Sequence, residues 1–140
     1  PEHTYIMGSS MGGLISLYAL CEYPQVFGGA GCLSTHVPMV IVPELFNDKE
    51  AIDRWAAAFR TYLEQHLPQA NSRLVYMDRG TASLDAYYGT YQTLIDQLFE
   101  QAGWDATHFQ TKVFEGHQHM ENDWARRLEQ PLTFLLAPQQ

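Results

Sequence analysis

A chain of 140 residues, 46% of them hydrophobic, is enough for one globular domain with a modest core and not for two. A formal charge of −8 and a pI near 5 exclude nucleic acid as a partner, because a phosphate backbone demands a basic footprint. No apolar run reaches the roughly 18 residues that a membrane-spanning helix needs.

The chain opens Pro1-Glu2-His3-Thr4-Tyr5, with neither an initiator Met nor a signal-like apolar stretch, and reads as a cut made inside a longer protein. Residues 4–8 form a short, mostly apolar strand. Met11, Leu14, Ile15, Tyr18 and Cys21 then recur at helical steps until Pro24. Residues 26–33 read as a second strand rich in small residues, where a neighbouring backbone can approach closely. Two prolines and no steady period make 34–49 a loop.

Residues 50–67 are the clearest helix. Ile52, Trp55, Ala56, Phe59, Tyr62, Leu63 and His66 form one stripe, charged residues lie off it, and Pro68 stops it. The run Leu74-Val75-Tyr76-Met77 fits a strand buried on both faces, and 80–87 reads as loop. A further helix spans Tyr88 to Phe99 and is closed by Gly103. Phe109, Thr111 and Val113 alternate with polar residues, as an edge strand does. The last helix carries Trp124, Leu128, Leu132 and Leu135, with Pro131 expected to kink or divide it.

Strands and helices thus alternate, the pattern of a mostly parallel sheet with helices on both faces. In such a sheet the first strand would be an exposed edge. We therefore expect missing N-terminal strands, from the same polypeptide or another chain, to pack against it. Cys21 and Cys32 have no metal-like spacing and are expected as buried free thiols. They argue against a disulfide-stapled secreted module and tilt the reading toward a soluble, cytoplasmic protein.

Gly8-Ser9-Ser10-Met11-Gly12-Gly13 contains Gly-x-Ser-x-Gly between a strand and a helix, the setting in which the motif makes a nucleophile elbow. A tight turn carries Ser10 at its tip, so Gly8 and Gly12 are expected to relieve close contacts. The Met11 N–H, at the helix N-terminus, would face a developing oxyanion. A phosphate-binding turn is the competing reading, but the Lys of a P-loop is missing and the dinucleotide pattern is not matched.

A serine nucleophile needs a His base and an anion that fixes its tautomer, in the chain order Ser, acid, His. Asp85 lies within the loop after the third strand and is the preferred acid. Asp78, one residue beyond the apolar run, is the alternative, or else organises the turn Asp78-Arg79-Gly80. His117 and His119 lie between the last strand and the last helix, where the base belongs, and His119 is preferred. A His-x-His pair alone is a weak zinc signal, so no metal and no other cofactor is expected. His36, Tyr87, His117 and Trp124 are candidates for a substrate pocket by loop position.

Taken with Leu74-Val75-Tyr76-Met77-Asp78-Arg79-Gly80-Thr81, Leu84-Asp85, Glu115-Gly116-His117-Gln118-His119 and Trp124-Ala125-Arg126-Arg127-Leu128, the motif makes the chain resemble the C-terminal half of the Putative esterase family. That family of α/β-hydrolases includes enterochelin esterase-like, S-formylglutathione hydrolase-like and carbohydrate-ester hydrolases. The resemblance covers essentially the whole chain. It implies an α/β-hydrolase fold in which residues 1–140 are the C-terminal part of a single catalytic domain. It also implies Ser10, Asp85 and His119 as the triad, and hydrolysis of small-molecule or carbohydrate-linked esters through an acyl-enzyme. Some members place the acid where this chain has Ser83. The second oxyanion donor of the family lies in a loop that precedes Pro1, so a fragment alone would lack it. Other acyl-transfer enzymes (thioesterase, peptidase, acyltransferase) and a non-catalytic hydrolase-fold protein or inactive fragment are the rival readings.

Overall fold

The computed structural model describes residues 2–137. Pro1, where the chain reads as cut, and residues 138–140, the end of the expected domain, lie outside them. The order is β1 (Tyr5–Ser9), α1 (Met11–Glu22), β2 (Gly29–Leu33), α2 (Lys49–His66), β3 (Leu74–Gly80), α3 (Gly89–Gln101), β4 (Phe109–Phe114), α4 (Glu121–Arg127) and α5 (Glu129–Leu136), with 3₁₀ turns at Pro43–Leu45 and Ser83–Tyr87. The four strands are parallel and lie in chain order, β1-β2-β3-β4. Successive crossovers that step the same way, each right-handed, put their helices on one face. There Leu17, Leu20, Phe59, Leu63, Ile95 and Phe99 of α1, α2 and α3 meet Ala30, Cys32, Val75 and Met77 of the sheet in one core. The other face is packed by α5, against β2 and β3.

Alternation along β2 serves both layers. A Cβ on Gly29 would stand 2.7 Å from the Leu74 carbonyl oxygen and 3.1 Å from Leu135, and one on Gly31 would stand 2.8 Å from Met7, so the small residues let α5 settle on the strand. Val26 and Phe27 fall outside this strand. Their N–H groups both bond the Tyr23 carbonyl in the turn that ends α1. Cys21 and Cys32 are buried and free, and burial pushes the Cys21 thiol up to about 12, so it carries no thiolate at neutral pH.

Two further readings shift, and the last helix divides as expected but turns other residues inward. The apolar run of β3 stops at Met77 but the strand pairs with β4 as far as Gly80 opposite Phe114, which makes Asp78 a fully buried strand residue. Helix α1 is apolar on nearly every side, so the periodic stripe marks the inward face only in part, through Cys21 and the core-packed Leu14. Leu17, Leu20 and Cys21 are buried, whereas Met11, Ile15 and Tyr18 are 59%, 55% and 46% exposed. The last helix divides at Leu128, which caps α4 and opens α5, and Pro131 stands in the first turn of α5, where a missing N–H has no intrahelical partner to lose. Leu128 and Leu132 are exposed, and the inward side of α4 carries Asp123 and Arg127 instead. Among the described residues no helix is long and apolar enough to cross a membrane.

Candidate active site

The carboxyl end of β1 runs directly into α1 through Ser10, whose backbone lies at φ 57° and ψ −120°, a strained position for a residue with a side chain. The strand ladder holds it there. The Ser10 N–H bonds the Leu33 carbonyl at 2.9 Å, and the Ser10 carbonyl accepts from the N–H groups of Gly13, Leu14 and His36. A Cβ on Gly8 would stand 2.6 Å from the backbone of Gly12, so only glycine fits at the foot of the turn. The expected need for Gly12 is not met, since a Cβ there would enter open space. Gly13 is the second tight position, 2.6 Å from the Thr35 hydroxyl. Met11 begins the helix, where the first N–H groups lack intrahelical acceptors.

The structure brings Ser10, His119 and Asp85 together. Ser10 Oγ lies 2.8 Å from His119 Nε2, and His119 Nδ1 lies 2.6 Å from Asp85 Oδ1. With Nδ1–H donating to the carboxylate, Nε2 is the free acceptor for the serine hydroxyl. Burial works against ionised Asp85, but bonds from His119, the Ser34 hydroxyl and the Gly80 N–H outweigh it and hold the carboxyl below the ordinary carboxylate range. The His119 side chain is 13% exposed, so its bond to Asp85 is shielded from solvent.

Two loops position this pair by bonding each other. The Thr81 and Ala82 N–H groups both donate to the His117 carbonyl, and the Gly116 N–H donates to the Thr81 hydroxyl at 2.8 Å. The His119 N–H donates to Ser83 Oγ at 2.8 Å, and Thr81 Oγ1 donates to Glu115 at 3.0 Å. A Cβ on Gly80 would meet the His117 carbonyl oxygen at 2.0 Å, so the loops touch where glycine leaves room. Tyr88 and Trp124 stand edge-on to the His119 ring, with centroids at 5.7 and 5.1 Å.

The remaining candidates separate. Asp78 is not within the His119 hydrogen bonds. It accepts two bonds from the Arg127 guanidinium, at 3.1 and 3.0 Å, and does not organise a turn. His36, expected to line a pocket, is buried. Its Nε2–H donates to the Val40 carbonyl at 2.9 Å and its Nδ1 accepts from the Tyr88 hydroxyl at 2.8 Å, so it braces the loop after β2. Burial pushes the Tyr88 phenol up, which keeps that donor protonated. His117 accepts at Nδ1 from Arg127 and anchors the acid loop through its carbonyl, so it too is held away from a pocket role. Tyr87 is 38% exposed and packs on Phe46. Trp124 is half-buried, and its ring stands edge-on to that of His119. Among the described residues no group of three or more His, Cys, Asp and Glu is placed to hold a metal ion.

Sequence reasoning missed Ser34, Ser83 and Arg127. The four-residue steps Asp123, Arg127, Pro131 and Leu135 trace the buried side of the last two helices, a signal hidden by the more apolar stripe beside it.

A strained serine turn at the end of a parallel strand, with the acid and then the histidine arriving from later strand ends, defines the α/β-hydrolase fold. A family model described as Putative esterase matches residues 1–135, and the chain belongs to that family. Among solved structures it is similar to the enterobactin esterase FES from Shigella flexneri, crystallised in the presence of 2,3-di-hydroxy-N-benzoyl-glycine. The TM-score is 0.67 at 19% identity, over 98% of this chain and 32% of that one. It is also similar to a ferulic acid esterase, with TM-score 0.67 at 20% identity over 96% of this chain and 51% of that one. The chain thus spans about a third and about half of those two chains. No curated protein sequence matches it.

Proposed function

We propose that the protein hydrolyses carboxylic esters with Ser10 as nucleophile, His119 as general base and Asp85 as the anion that orients it. One observation carries the reading: the unbroken hydrogen bonds from Ser10 Oγ to His119 Nε2 and from His119 Nδ1 to Asp85, at 2.8 and 2.6 Å. His119 takes the serine proton as Oγ attacks the ester carbonyl, and the resulting oxyanion faces the Met11 N–H. Collapse of the tetrahedral intermediate expels the alcohol, which leaves with the proton from His119. Water, deprotonated by His119, attacks the acyl carbonyl, and Ser10 Oγ leaves with that proton from His119 as the acid is released. Every proton is moved by a side chain of this chain, and the scheme calls for no metal or organic cofactor.

Residues 1–140 act in this reading as the C-terminal part of one catalytic domain. The outer edge of β1 has no strand partner among the described residues, and the outward side of α1 is apolar. Further strands, from the same polypeptide or another chain, would complete the sheet there and bring the second oxyanion donor, whose loss costs about 3 kcal/mol of transition-state stabilisation. The similar structures are named for enterobactin and ferulic acid, which favours a small-molecule ester as substrate, free or carbohydrate-linked.

A fluorophosphonate probe tests the nucleophile. Labelling of the unaltered protein and of Ser9→Ala, with loss in Ser10→Ala, is the expected result. An unaltered protein that does not label overturns the reading.

A further inference from the structure

Behind the acid lies a second set of polar side chains that the reaction does not itself use. Arg127, Ser34 and Asp78 are 2%, 0% and 0% exposed. All three guanidinium nitrogens of Arg127 are engaged. Nε and Nη2 donate to the two oxygens of Asp78, Nη2 also donates to Ser34 Oγ at 2.6 Å, and Nη1 donates to His117 Nδ1 at 3.3 Å. Ser34 Oγ in turn lies 2.5 Å from Asp85 Oδ2, which also accepts from the Gly80 N–H at 2.6 Å.

These contacts have a fixed direction. A guanidinium has donors and no acceptor, so a serine oxygen that accepts from it has its single O–H left for the carboxylate. We propose that Arg127 and Ser34 are positioning residues for the acid: a one-way row of donors from Arg127 Nη2 through Ser34 to Asp85 Oδ2 that occupies one carboxylate oxygen and turns the other, Oδ1, to His119. The inference rests on the reading of Asp85 and His119 as acid and base.

The surroundings hold this row in place. Ser34 sits at φ 41°, a conformation rare for a residue with a side chain, and is kept there by its N–H, which bonds the Asp78 carbonyl at 2.9 Å and the Asp78 carboxylate at 3.2 Å. Asp78 accepts a third side-chain bond from the Tyr76 hydroxyl at 3.1 Å. Burial pushes the Asp78 carboxyl up, and the bonds from Arg127 oppose that push. Arg127 comes from the helix after the base loop and Asp78 from the strand before the acid loop, so the pair ties the two loops at their roots. The charges are also matched to the reaction. Two carboxylates, Asp78 and Asp85, face one guanidinium, which leaves one negative charge over while His119 is neutral. The imidazolium formed as Ser10 attacks balances it.

The test follows the imidazole proton between His119 and Asp85 by downfield proton NMR across pH, beside steady-state turnover of an activated aryl ester. Ser34→Ala removes one donor from Asp85 Oδ2 and makes the carboxylate more basic. The midpoint at which His119 gains its proton is expected to rise by about one pH unit. The kcat is expected to fall about tenfold with KM unchanged. Arg127→Lys keeps a charge beside Asp78 but loses the planar fork, and moves both readouts in the same direction. A merely structural role would lower the unfolding temperature and leave the midpoint where it was. That outcome in either folded variant overturns the proposal.

If neither variant folds, the unaltered protein decides. A Ser34 hydroxyl proton protected from solvent exchange supports the row, and one that exchanges freely overturns it. The NMR readout needs no turnover, so failure of Ser10 to label with fluorophosphonate sinks the esterase reading separately.

Discussion

At the ends of β3 and β4 the loops carrying Asp85 and His119 bond each other through Thr81, Ala82, Ser83, Gly116 and His117, whereas the turn carrying Ser10 at the end of β1 is braced from the β2 side by Leu33 and His36. Behind the first region stands a buried ion pair, Arg127 with Asp78. Beside the second lie the exposed side chains of Met11, Ile15 and Tyr18. An apolar groove of about 510 Å³ runs from Met11 between α1 and α2 to Tyr62. The half that carries Asp85 and His119 is therefore fixed by bonds within the chain. The half that carries Ser10 has a firm backbone but an exposed apolar flank. Precise orientation of donors is a local task, solved by short hydrogen bonds. Covering apolar surface takes area, and among the described residues only part of the outward side of α1 is covered, as where Tyr62 stacks on Tyr18.

Asp85→Asn strikes the first region hardest. It leaves the shape intact while favouring the wrong imidazole tautomer, and kcat/KM is expected to fall about 10,000-fold. Asp78→Ala separates orientation from stability, because it strands the Arg127 charge in the interior. Denaturant unfolding should show a loss of about 3–5 kcal/mol. A fall in stability as large for Asp85→Asn, with activity retained, would reverse the roles of the two carboxylates.

The second region is probed on α1. Leu20→Ala, in the core, should cost about 2–5 kcal/mol, and Ile15→Ala, on the outward side, less than about 0.5 kcal/mol. An Ile15→Ala cost equal to that of Leu20→Ala would mean that the flank is covered in solution.

The smallest expected effect is the pH dependence. The folded-state pKa of Asp85 lies below the ordinary value, so its contribution to stability is complete above about pH 4. That contribution fades as pH falls through the depressed folded value. Urea midpoints of the unaltered protein and Asp85→Asn should converge over that acidic range.

What the sequence made legible followed from local rules. The elbow could be read because the steric demand at Gly8 is written within five residues, and the alternation of elements because α2, α3 and β3 each have a clear period or an unbroken apolar run. The true length of β3 was hidden, because a charged residue ends an apolar run on paper. Asp78 remains inside the strand only because Arg127 meets it from 49 residues away. The inward side of α1 was equally hidden, since a helix apolar all round has no period to read. His36 looked like a pocket residue from its loop position, and its two bonds to Tyr88 and Val40 became visible only with the loop folded.

The bond between Ser10 and His119 joins groups 109 residues apart, and it has a consequence for synthesis on the ribosome. The strained serine turn can form as soon as β1, α1 and β2 have emerged. His119 follows the end of β2 at Leu33 only after α2, β3, α3 and β4, and the helix that carries Arg127 arrives later still. Closing so long a loop comes late in folding, after nearer contacts are made. A growing chain therefore carries its serine turn before the Ser10–His119 bond can form, and that bond closes only once the segment through β4 and the loop after it has emerged.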